Sequence, residues 1–77
     1  MNARLPALRP QDVLRVLQRA GIDVVRIKGS HHILVHRNDA KRMTNVPRHG
    51  SKDLPRGTLR AIIAQAGLTV EEFLDLL

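Results

Sequence analysis

The 77-residue chain contains no cysteine, tryptophan or tyrosine, and Phe73 is its single aromatic residue. Without thiols there is no disulfide framework, no thiolate zinc finger and no cysteine nucleophile, a composition that suits a reducing compartment. A lone aromatic cannot build the stacking platforms on which RRM and OB-type domains hold bases. Contact with a nucleic acid must then run through phosphate, sugar and polar edges. No stretch approaches the roughly 20 apolar residues of a membrane-spanning helix, and residues 1–9 lack the apolar run of a signal peptide. A soluble cytoplasmic protein with no membrane partner is expected. The chain is also short of length: one domain is the ceiling, with a small core and no deep substrate cleft.

Positive charge is what the sequence has in quantity. Thirteen Lys and Arg face seven Asp and Glu, a formal net charge of +6. The charge is unevenly spread: residues 26–60 hold nine cations against two acids, net +7, whereas residues 61–77 hold three acids and no cation. All four histidines, His31, His32, His36 and His49, fall in the basic segment. Polyanions are the expected partners, and the only side chains with unperturbed titration near neutrality sit among the cations.

Local signals divide the chain into six elements. Pro10 can open a helix whose apolar positions Val13, Leu14, Val16, Leu17 and Ala20 fall at helical spacing, and Gly21 stops it. The β-branched run 22–27 and the run 31–36 flank Gly29 and Ser30 as a hairpin. Residues 37–40 form a second turn, and a third strand over 41–46 ends at Pro47. Pro55 can open a second helix carrying Leu59, Ile62, Ile63 and Ala66, closed by Gly67. Thr69 and Glu72 form a T-x-x-E capping box for a third helix, with Leu68 and Phe73 as its hydrophobic staple and Val70, Phe73, Leu74 and Leu77 as its buried face. The expected fold is α+β, in the order α-β-β-β-α-α. A three-stranded antiparallel sheet carries helices on one face, and its other face is open to solvent or a partner. Residues 1–9 read as a leader, with disorder expected over 1–8, and residues 10–77 as a single domain.

Two kinds of chemistry suit clustered histidines. Metal binding is disfavoured: His32 and His36 share a strand face, but four residues at about 3.3 Å each hold them roughly 13 Å apart. No cofactor is expected. Acid–base cleavage of RNA through the ribose 2′-hydroxyl instead needs a proton acceptor, a donor for the leaving oxygen, and cations for the charge on phosphorus. His31 follows Gly29 and Ser30, where a tight turn lets a phosphate approach backbone N–H groups. Lys28, Arg48 and Lys52 can contact that phosphate if the end of the third strand returns to the turn. By strand parity His31, Ile33 and Val35 share one face and His32, Leu34 and His36 the other. The second set, with two imidazoles, reads as the wetter one, making His32 and His36 surface residues and setting His31 near the core side.

Lys28 to His32 (K-G-S-H-H), Val46 to Gly50 (V-P-R-H-G), Gly57 to Arg60 (G-T-L-R), Ile62 and Ala66 to Leu68 (A-G-L) together resemble the HicA-type (YcfA-like) mRNA interferase toxins. The resemblance runs from Pro10 to Leu77, in order and with natural spacing. It implies a fold like that of double-stranded-RNA-binding domains, an endoribonuclease that degrades mRNA, and neutralisation by a HicB-type antitoxin. The family's catalytic histidine, the one in Gly-Ser-His, lands on His31. His49 matches a recurrent Pro-x-His with a supporting, RNA-binding role. The chain departs from the family at Ile22, where members often carry an aromatic, and in its longer leader. The alternative reading is a non-catalytic RNA-binding module of the same fold. A DNA-binding regulator is the weakest, because no helix carries a basic recognition face.

Overall fold

The computed structural model describes residues 4–48, 50 and 52–77. The element order is α1 (Pro10–Arg19), β1 (Ile22–Lys28), β2 (His31–His36), β3 (Asp39–Pro47), α2 (Arg56–Gln65) and α3 (Val70–Asp75). The strands pair antiparallel in the order β1-β2-β3, as expected for the α+β fold.

α1 begins at Pro10, where the missing N–H costs nothing in the first turn, and the Asp12 carboxylate accepts from the Arg9 backbone N–H at 3.2 Å. Its Val13, Leu14, Val16 and Leu17 are buried. Gly29, at φ 60°, is followed by a residue of negative φ, the II′ pattern whose twist matches a two-residue hairpin, and Lys28 pairs with His31 across it. The β2–β3 turn is tighter than expected. It uses Arg37 and Asn38 alone, and β3 starts at Asp39 and includes Pro47. In that turn His36 Nδ1 accepts from the Asn38 N–H at 3.0 Å, and Arg37 forms a two-pronged bridge to Asp23 at 2.6 and 3.0 Å.

The core lies between the helices and one sheet face, with Leu17, Ile22, Leu34, Val46, Leu59, Ile62, Ile63 and Phe73 enclosed. Leu34 settles which side of β2 is dry. It is fully buried, so His32 and His36 lie on the helix side, half-buried, and His31 faces outward and is exposed. This reverses the expected orientation. Two imidazoles made that face look polar, but a central leucine between them drives it inward, since apolar burial contributes roughly 1.5–3 kcal/mol for such a side chain. His32 Nδ1 is buried without a hydrogen-bond partner. Leu77 also departs from expectation: α3 ends at Asp75, and Leu77 is 48% exposed. Within the expected leader, Leu5 and Leu8 enter the core, and the Leu8 carbonyl accepts from the Leu54 N–H at 2.8 Å.

Candidate functional site

The open sheet face carries His31, Ile33 and Val35 from β2 and, opposite them, Pro47, Asn45 and Met43 from β3. His31 and Asn45 are diagonal neighbours on this face, close enough for side chains to meet. His31 Nδ1 lies 3.1 Å from Asn45 Oδ1. An amide oxygen only accepts, so with Oδ1 as the partner Nδ1 is the donor of this pair.

The expected return of the third strand to the first turn is present. His31 pairs with Pro47, and the Arg48 N–H donates to the Ser30 carbonyl at 2.6 Å. Lys28, Gly29, Ser30, His31 and Arg48 are thereby gathered at one end of the sheet, with Lys28 and Arg48 exposed on either side of the histidine strand. Lys52 is exposed on the following loop. It lines a hollow of about 350 Å³ with Pro10, Pro47, Leu54 and Pro55. His49, the remaining expected contact, lies outside the described residues.

Sequence reasoning missed the groove beside His31. α2 runs along the β3 edge, and a depression of about 460 Å³ opens between His31, Asn45 and Pro47 on the sheet and Thr58, Ala61 and Gln65 on the helix. It adjoins a second hollow of about 370 Å³ over Ile33 and Met43, which shares Asn45 and Gln65. Gln65 is fixed there by Thr44, a buried residue whose hydroxyl donates to Gln65 Oε1 at 2.8 Å. An amide at a strand position between Thr44 and Val46 was the available signal for Asn45. Nothing in the sequence marked Gln65, whose side chain is set by a contact 21 residues away in the chain.

Among the described residues no group of three His, Cys, Asp or Glu side chains stands together as a metal ligand set, and no helix is long and apolar enough to cross a membrane. His32 and His36 are separately committed, one to the core face and one to the β2–β3 turn.

Three antiparallel strands with helices on one face and an exposed basic strand end define a small α+β domain of the double-stranded-RNA-binding-domain type. Within that class the match is specific: the model of the family described as the HicA toxin of bacterial toxin-antitoxin covers residues 10–68, and the chain belongs to that family. It is the toxin of a toxin–antitoxin pair, with an antitoxin as its partner. No curated protein matches the chain.

Proposed function

We propose that this toxin is a metal-independent endoribonuclease that cleaves mRNA in the cytoplasm, with His31 as its general acid–base and a HicB-type antitoxin as its inhibitor. The observation that carries the reading is the His31–Asn45 pair on the open face, at the mouth of a groove and between two exposed cations. With Nδ1–H directed at Asn45, Nε2 accepts the proton of a ribose 2′-hydroxyl as that oxygen attacks phosphorus. The O5′–phosphorus bond breaks, O5′ takes a proton from a water that recovers one from the His31 imidazolium, and the products are a 2′,3′-cyclic phosphate and a 5′-hydroxyl with His31 back in its starting form. Lys28 and Arg48 stabilise the charge that builds on the phosphoryl oxygens, with Lys52 and His49 extending the contact along the backbone. Gly29 and Ser30 let the chain turn closely enough for the phosphate to approach. In this reading residues 10–77 are the working domain and the leader braces it through Leu5 and Leu8.

The test is RNA incubated in EDTA with the toxin or with its His31→Ala variant. The toxin is expected to cut and the variant to lose about 10²–10⁴-fold in rate, as removal of a general base does. Equal cleavage by both overturns the role of His31. Retained RNA binding with no cleavage by either would leave a binding module instead.

A further inference from the structure

Asn45 and Gln65 flank the groove, and each has its amide oxygen engaged: Asn45 Oδ1 accepts from His31 Nδ1, and Gln65 Oε1 accepts from the Thr44 hydroxyl. What each presents to the groove is therefore its NH₂ group. At Gln65 the hydroxyl that holds the amide oxygen belongs to a residue only 3% exposed. The groove thus offers two oriented donors and no matching side-chain acceptor from this pair. Ile33 and Met43 line the adjoining hollow that shares Asn45 and Gln65, an apolar floor in a protein whose single aromatic is enclosed in the core. Met43 is 53% exposed, so a flat ligand can cover it.

We infer that this groove is a nucleobase subsite that selects guanine beside the scissile phosphate. The inference rests on the proposed ribonuclease reading and deepens it. Guanine presents N7 and O6, two adjacent acceptors, on one edge; adenine presents N7 beside an N6 donor, which would face an NH₂ group unfavourably. Uracil sets its N3 donor between its two acceptors, and cytosine, whose N3 and O2 are adjacent acceptors, is a single ring that covers less of the Ile33–Met43 floor. The base lies on aliphatic and thioether surface, and the two amides read its edge. Asn45 serves both neighbours: the same side chain that orients His31 touches the base, which couples recognition to the reacting phosphate.

The experiment measures binding of the intact toxin to 2′-O-methyl pentanucleotides that differ only in the central base: guanine, adenine, uracil, cytosine or 7-deazaguanine in a uridine context. Lacking 2′-hydroxyls, these ligands cannot be cleaved by the proposed route. Guanine is expected to bind about tenfold tighter than adenine, within the range one base-edge recognition supplies, and 7-deazaguanine to lose most of that advantage. Gln65→Glu keeps an oxygen for Thr44 but removes the donors. It should reduce the guanine-to-adenine ratio to about one whatever its effect on overall affinity. Equal affinities for the five ligands, full binding of 7-deazaguanine, or an unchanged ratio in Gln65→Glu each overturn the subsite. So does loss of antitoxin binding in Gln65→Glu with the ratio retained, which would make the groove an inhibitor surface. If His31-dependent cleavage holds while the ligands bind alike, the subsite alone falls. If the guanine preference holds in a toxin that cuts no RNA, the subsite stands and the nuclease reading falls.

Discussion

Gly67 follows α2 with φ 77°, in the left-handed region that glycine enters without penalty, and a Cβ added there would come within 2.6 Å of Arg42 Nε. That nitrogen is occupied. It donates to the Ala66 carbonyl at 2.8 Å, satisfying one of the acceptors a helix end leaves open and tying β3 to α2. Gly67→Ala therefore combines backbone strain with displacement of the cap, and a loss of about 2 kcal/mol is expected, or a drop of roughly 10 °C in Tm for a domain of this size. Repeating the substitution in an Arg42→Ala background should cost less, since the clash and the cap have already gone. Gly57 supplies the contrast. It lies inside α2 with nothing within 4 Å of its Cβ position, so Gly57→Ala should raise stability by roughly 0.5–1 kcal/mol. Thermal unfolding of Gly67→Ala, Arg42→Ala, the double variant and Gly57→Ala checks all of this, and equal effects at Gly57 and Gly67 would contradict the strain argument.

At the scale of elements, α3 depends on its capping box. Thr69 Oγ1 accepts from the Glu72 N–H at 3.0 Å and Glu72 Oε1 from the Thr69 N–H at 2.8 Å. Thr69→Ala should cost about 1 kcal/mol, a large share for a six-residue helix held chiefly by Phe73. The backbone N–H of Thr69, and then its hydroxyl, hold the Glu72 carboxyl below its ordinary value of 4.5. The Arg37 hydrogen bond does the same for Asp23, whose ordinary value is 3.8. A carboxyl lowered in the folded state adds stability above its unfolded value and loses it as pH falls through the folded one. Unfolding followed from pH 7 downward should therefore show stability falling from about pH 4.5, and Glu72→Gln should remove part of that fall. An identical acid profile in wild type and Glu72→Gln would detach the box from the linkage. These elements were legible in the sequence because their signals are local: Pro10, the Gly29–Ser30 turn and the T-x-x-E box each act within a few residues. The face of β2 was not. Parity separates His31 from His32, but which side is covered depends on helices at both ends of the chain, so Leu34 decided the matter only in the folded molecule. The gathering of Lys28, His31 and Arg48 followed from a strand register that the turn positions imply. The His31–Asn45–Gln65 groove depends on how α2 lies against β3, which no periodicity encodes.

At the scale of the whole molecule, several of the thirteen Lys and Arg are not available to a polyanion. Arg37 is bridged to Asp23, Arg15 lies 3.6 Å from Asp12, Arg19 donates to the Leu76 and Leu77 carbonyls, and Arg42 caps α2. These cations work within the fold. Lys28, Arg48 and Lys52 are exposed around the end of the sheet that holds His31, and the acidic residues Glu71, Glu72 and Asp75 belong to a separate element, α3. Binding of a single strand releases condensed counterions in proportion to the phosphates neutralised, with log K falling against log salt by about 0.7 for each. Three engaged phosphates give a slope near −2 for a 2′-O-methyl RNA that cannot be cut. Lys28→Ala and Arg48→Ala should each make that slope shallower by about 0.7 while weakening all sequences alike. Arg19→Ala should leave the slope unchanged and lower the unfolding temperature, because its guanidinium ties α1 to the C-terminus rather than facing the ligand. If Arg19→Ala moves the slope and Lys28→Ala and Arg48→Ala do not, the strand crosses the helix side, and the open face with His31 is not where the toxin holds RNA.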